Sequence, residues 1–164
     1  MKTLLILRHA KTQPDAPAGD HARELTERGH RNAAAMGAYI RVLIGTPDAI
    51  ITSDATRARQ TAEIVAPAAN FAAPLTVEPR IYAADLETLL AVVRRIPGEV
   101  QTAIIIGHNP GFEELAAALP GNPEHEVRLP PAGLAVLEFD VRRWDSVRGG
   151  AGRLREVATP RTIS

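Results

Sequence analysis

Thr3-Leu4-Leu5-Ile6-Leu7-Arg8-His9-Ala10-Lys11-Thr12 decides how this chain is read. Five residues, four of them aliphatic, end abruptly in a guanidinium and an imidazole. An apolar run of that length bounded by polar residues reads as a buried strand. In open α/β sheets, ligands sit outside the carboxyl ends of the strands. Arg8 can hold a phosphate or carboxylate through two parallel N–H bonds. His9 can serve as a nucleophile or base near neutral pH. The first strand thus delivers an anion clamp and a reactive imidazole together.

The same pattern recurs downstream. Asp48-Ala49-Ile50-Ile51-Thr52-Ser53 reads as a second strand with a polar end, and Arg57 follows on the first turn of a helix spanning about 56–69. Thr102-Ala103-Ile104-Ile105-Ile106 is a third strand, leading into Gly107-His108-Asn109-Pro110-Gly111. Between these strands the spacing predicts helices. One begins at the N-cap Thr26, carries Ala33, Met36, Gly37, Ile40 and Leu43 on one face, and stops at Gly45 and Pro47. Others cover 86–95 and 112–119. Leu75-Thr76-Val77 reads as a short edge strand, 134–139 as a late strand and 153–157 as a further edge strand. Residues 120–133 read as a loop, and Gly149-Gly150-Ala151-Gly152 as a hairpin turn.

Strands alternating with helices predict an α/β fold, a three-layer αβα sandwich with a mostly parallel central sheet; the family resemblance given below adds the expectation of no large cap insertion. The 164 residues are expected to form one domain, residues 1–164. In a parallel sheet the three strand ends lie on one side. Two imidazoles and two guanidiniums then converge beside helix N-termini, which also attract anions.

Composition narrows the chemistry. The 19 basic and 19 acidic residues balance, which gives no overall attraction to nucleic acid or to an anionic membrane. Lys2 and Lys11 are the only lysines, so oxyanion sites here are built mainly from arginine. With no cysteine, thiol catalysis, disulfides and thiolate metal sites are excluded. No stretch approaches the roughly 20 apolar residues of a membrane span, and the N-terminus lacks a signal-peptide pattern, so a cytoplasmic location is expected.

Three motifs in order carry a family resemblance. Leu7-Arg8-His9-Ala10 resembles the Arg-His-Gly signature of the histidine phosphatase (phosphoglycerate mutase-like) superfamily. Ser53-Asp54-Ala55-Thr56-Arg57-Ala58-Arg59-Gln60-Thr61-Ala62 resembles its Ser-Pro-x-x-Arg-Ala-x-Gln-Thr-Ala segment. Ile106-Gly107-His108-Asn109-Pro110 resembles the segment of its second histidine. The small size and Leu25-Thr26-Glu27-Arg28-Gly29 point to the SixA-type phosphohistidine phosphatase branch. The resemblance implies a metal-independent phosphohydrolase with no cofactor, working through a phosphohistidine intermediate. By it, His9 is the nucleophile, Arg8, Arg57 and His108 surround the phosphoryl oxygens, and Arg23 is an additional pocket arginine.

An imidazole attacks phosphorus only when its attacking nitrogen is unprotonated, so the other nitrogen of His9 is expected to donate to a backbone carbonyl. Neighbouring arginines favour that neutral form. Two departures stand out: Ala10 replaces the family's glycine, and Asp54 replaces its proline, placing a negative charge near the pocket. The proton donor to the leaving group is unassigned. Asn109 excludes a carboxylate directly after His108, which leaves Asp20, Asp85 and Glu87. Phosphohistidine, a good leaving-group substrate, needs little such help. The partner is therefore expected to be a phosphorylated protein, releasing inorganic phosphate. The alternatives are a small phosphate ester (sugar phosphate or nucleotide) or a phosphate-binding module with weak turnover. Arg59 is expected to be solvated, His21, His30 and His125 to lie on the surface, and Trp144 to pack near the late strand.

Overall fold

A computed structural model describes residues 1–121 and 126–164. His125 lies outside the described residues. One six-stranded sheet runs β3-β2-β4-β1-β5-β6. The strands are β1 (Lys2–Arg8), β2 (Ala49–Thr52), β3 (Thr76–Val77), β4 (Thr102–Gly107), β5 (Leu134–Phe139) and β6 (Arg153–Ala158). Neighbours from β3 to β1 pair in parallel, whereas β5 pairs antiparallel with both β1 and β6. Only β5 therefore runs against the rest, and the expectation of a mostly parallel sheet holds.

Helices cover both faces. Alternation along β1 divides the core: Leu5 and Leu7 pack with α1 (Glu27–Ile44) and α2 (Thr56–Ala68), while Leu4 and Ile6 pack with α3 (Leu86–Arg94) and α4 (Gly111–Ala118). A last turn, α5 (Pro160–Ile163), lies on the α1 face. β1 and β4 are buried on both sides of the sheet, which is why they read as unbroken apolar runs rather than alternating ones.

Local chemistry sets the helix boundaries. The Thr26 hydroxyl accepts from the Gly29 amide at 3.0 Å, as its N-cap role predicts, and Gly45 closes α1 at φ 78°. Gly29 has a second task. A Cβ there would stand 2.2 Å from the Lys11 carbonyl oxygen, so glycine lets the chain just after β1 lie against the first turn of α1. The 149–152 stretch is not a tight hairpin turn. It belongs to a long β5–β6 connection that includes a helical turn at Trp144–Ser146, and Gly150 and Gly152 donate to the carbonyls of Ala118 and Leu119. These glycines let the connection pack on the end of α4. Trp144 is buried and donates to the Val100 carbonyl at 2.7 Å.

Candidate active site

Sheet order brings the three strand ends side by side. β4 lies between β2 and β1, with Arg8 in register with Gly107. The His9 amide donates to the Gly107 carbonyl at 3.0 Å, and the Ser53 amide donates to Ile106 at 2.9 Å. His9 and His108 thus leave adjacent strands together, and their ring centroids are 5.3 Å apart. Gly107 has no room for a side chain: a Cβ would meet Ile81 and Phe112 at 2.6 Å.

His9 is 5% exposed, and its Nδ1 lies 2.8 Å from the Ala10 carbonyl. A carbonyl only accepts, so Nδ1 carries the proton, and in the neutral ring Nε2 keeps its lone pair. Burial, followed by the charges of Arg8, Arg57 and Arg23, pushes the His9 pKa down to about 4. The ring is neutral at physiological pH, as the sequence reading required. Ala10 is itself buried, and its amide donates to Thr61 Oγ1 at 3.0 Å; the methyl group is accommodated in the core. Thr61 in turn donates to the Arg57 carbonyl at 2.8 Å, tying the end of β1 to the start of α2.

His108 is held differently. Its Nε2 lies 2.8 Å from Ser53 Oγ, which also accepts from the Ala55 amide at 3.2 Å. The Ser53 proton has no other acceptor among the described residues, so the hydroxyl donates to Nε2. That places the His108 proton on Nδ1, which is buried without a partner. Burial first, then His9 and Arg57, push the His108 pKa down to about 3. His108 is therefore a neutral donor. Ser53 is the functional residue whose role the sequence reading missed; its place at the end of β2, inside the second motif, was the available signal.

The arginines close the cup. Arg8 donates through Nη1 to the Leu129 carbonyl at 3.0 Å, a carbonyl that also accepts from Asn109 Nδ2 at 2.9 Å. Arg57, 5% exposed, donates to the Asp20 carbonyl at 2.7 Å and to Asp20 Oδ2 at 3.1 Å. Arg23 Nε lies 3.1 Å from Asp20 Oδ1, which places Arg23 beside Arg57 around the same carboxylate. The Nε atoms of Arg8 and Arg57, like His108 Nδ1, are buried without a hydrogen-bond partner. Buried donors are ordinarily satisfied. Three unsatisfied donors around a neutral imidazole form a receptor for a multiply charged oxyanion.

The candidate proton donors separate. Asp20 sits at the rim, where Tyr82 donates to it at 2.6 Å and Arg57 and Arg23 flank it. The Tyr82 hydrogen bond and the arginines hold its carboxyl below the usual range, so it is ionised at neutral pH. Asp85 caps α3 by accepting from the Thr88 amide at 2.9 Å, which also lowers its pKa. Glu87 is exposed on the first turn of α3 and is not among the lining residues; the sequence region was right, but helical geometry turns it away. Asp54 Oδ1 lies 3.1 Å from His21 Nε2 without a hydrogen bond between them, and Asp54 is not among the residues lining the cleft described below. His21 and His30 are exposed as expected, although His21 also meets the Tyr82 ring edge-on at 4.8 Å. Arg59 is exposed as well. Beside the cup opens a cleft of about 440 Å³ walled by Tyr82, Asp85, Asn109, Pro110 and Glu114, with Asp20, Arg57 and His108 at its inner end. No helix among the described residues is long and apolar enough to cross a membrane.

Comparison with known proteins agrees with this geometry. The sequence pattern of the histidine phosphatase superfamily (branch 1) matches residues 4–90. An uncharacterised protein of Mycobacterium leprae is 30% identical over 167 residues, covering 94% of this chain and all of the relative. A SixA protein from Nakamurella multipartitia, proposed to be a phosphohistidine phosphatase, superposes with TM-score 0.84 at 27% identity, over 97% of this chain and 96% of that one. The protein histidine phosphatase SixA in complex with tungstate superposes with TM-score 0.85 at 24% identity, over 99% of both chains, a likeness of fold. This chain belongs to the histidine phosphatase superfamily, and it is a phosphatase.

Proposed function

We propose that this phosphatase removes phosphate from phosphohistidine on a protein, with His9 as the nucleophile. In the first step His9 Nε2 attacks phosphorus as the bond from phosphorus to the substrate's imidazole nitrogen breaks. The phosphoryl group moves to His9, and the departing imidazole leaves with the bonding electron pair: as the neutral ring when its other nitrogen already carries a proton, and otherwise taking one from solvent. In the second step water attacks phosphorus, the bond from phosphorus to His9 Nε2 breaks with its electron pair returning to Nε2, the water gives up a proton to solvent, and inorganic phosphate and neutral His9 are released. Charge on the three equatorial oxygens is met by Arg8, Arg57 and His108 Nδ1–H, with Arg23 at the rim. These groups are fixed before substrate arrives, so little reorganisation is needed as the charge develops.

The observation that supports the substrate class is the engagement of the rim carboxylates: Asp20 accepts from Tyr82 and Arg57 and pairs with Arg23, and Asp85 is spent on capping α3. Asp20 and Asp85 are both held below the ordinary carboxylate range, so neither is a ready proton donor at neutral pH. An alkyl phosphate needs such a donor because an alkoxide leaves poorly; an imidazole does not. The test is a panel at matched concentrations: a phosphohistidine peptide, a sugar phosphate, a nucleoside monophosphate and phosphoserine. The expected result is the highest kcat/KM on the phosphohistidine peptide. A higher value on any of the three phosphate esters would overturn the assignment. The cleft beside Tyr82 favours a second reading, hydrolysis of a small phosphate ester seated there, which the same panel separates.

A further inference from the structure

A second cleft, of about 390 Å³, lies where the chain just after β1 meets α1 and α5. Lys11, Arg28 and Arg161 line it, with Asn32, Pro131 and Thr159 between them. Two of its lining residues lie close along the chain to residues of the candidate site. Lys11 lies two residues beyond His9, and the neighbouring Pro130 follows Leu129, whose carbonyl holds Arg8. Lys11 is anchored against α1, because its carbonyl accepts from the Thr26 amide at 2.9 Å. Thus α1 supplies Arg28, the end of β1 supplies Lys11, and α5 supplies Arg161. All three side chains are exposed, none is in an ion pair among the described residues, and no carboxylate side chain lines the cleft.

This separation is notable in a chain whose formal net charge is zero. Seven of its 17 arginines lie in ion pairs among the described residues, whereas these three cations share one hollow with no ion-pair partner there. The cleft beside Tyr82 carries Asp85 and Glu114 on its wall. With Asp20 and Arg57 also on that wall, carboxylates outnumber cations in the first cleft, and the reverse holds in the second. A partner surface meeting both is oriented by charge, and it is drawn in at a rate that depends on salt.

We infer that the Lys11–Arg28–Arg161 cleft docks acidic side chains lying beside the phosphorylated residue of a protein substrate. The inference rests on the protein-substrate reading above and goes beyond it by naming the surface and the sequence context. The occupant is a cluster of carboxylates on the substrate, because the hollow offers separate cations spread over three elements rather than one tight oxyanion cup.

The test uses two phosphohistidine peptides of equal length, one flanked by glutamates and one by glutamines, with phosphoramidate as a small substrate. Three exposed charge contacts of ordinary strength predict about a tenfold preference in kcat/KM for the acidic peptide, expressed in KM and fading at high salt. In the Lys11→Gln/Arg28→Gln/Arg161→Gln variant the preference should vanish while phosphoramidate hydrolysis is unchanged, which also shows that the variant is folded. Equal kcat/KM on the two peptides in the wild type, or a preference that survives in the variant, would overturn the inference and leave the phosphohistidine reading intact. Hydrolysis of phosphoramidate with neither peptide turned over would overturn both.

Discussion

Acidification should destabilise this fold through the two buried histidines of the candidate site. His9 and His108 are buried, and their pKa values lie at about 4 and about 3 against an ordinary 6.5. In the unfolded chain both rings take up protons near 6.5. Between that value and the folded ones, the unfolded state binds more protons, so stability is lost as pH falls through the window. Each unit of difference is worth about 1.4 kcal/mol, so between about pH 7 and about pH 4.5 each ring removes about 2.5 kcal/mol, and the pair about 5 kcal/mol. That is a large share of the roughly 5–15 kcal/mol that holds a typical domain folded. Urea unfolding across this range measures it. Wild type should lose stability steeply, and His9→Gln and His108→Gln should each remove about 2.5 kcal/mol of the loss. Variants with an undiminished slope, or ring-proton NMR titrations with midpoints near 6.5, would refute the burial argument and, with it, the neutral state of both rings.

Other predictions address single residues. Arg57→Ala removes a fixed donor from the cup and should lower kcat by about 10²–10³, measured by steady-state kinetics on a phosphohistidine peptide. Ser53→Ala should move the His108 proton from Nδ1 toward Nε2, read from imidazole ¹⁵N shifts, and slow turnover about tenfold, the worth of one hydrogen bond. Asp20→Asn removes the anion beside Arg57 and Arg23, so inorganic phosphate should inhibit at lower concentration while kcat stays within about threefold; a larger fall in kcat would restore Asp20 as the proton donor. Gly29→Ala forces a methyl group to within 2.2 Å of the Lys11 carbonyl and should lower Tm by several degrees, the signature of about 1–3 kcal/mol of overpacking.

The side chains that gather at the candidate site were legible as neighbours because strands buried on both faces read as unbroken apolar runs, and each run ended in polar residues. Arg8, Arg57 and His108 needed only strand adjacency to meet His9. The tautomers were half legible: a carbonyl partner for His9 followed from its required chemistry, but the Ser53–His108 contact depends on β2 lying next to β4, an order that periodicity does not encode. The carboxylates were least legible. Asp20, Asp85 and Glu87 are close in character, and only the three-dimensional fold separates one paired with arginines, one spent on a helix cap and one turned to solvent. The basic cleft was invisible for a similar reason, since Lys11, Arg28 and Arg161 meet only when α5 folds back on α1.

Rapid quenching during turnover of a ³²P-labelled phosphohistidine peptide tests the central claim most directly. The account predicts a transient label on wild-type protein that is lost in acid, survives alkali, maps to His9 and is absent from His9→Ala. Equal labelling of the two proteins, or turnover by the His9→Ala variant at the wild-type rate, would contradict it.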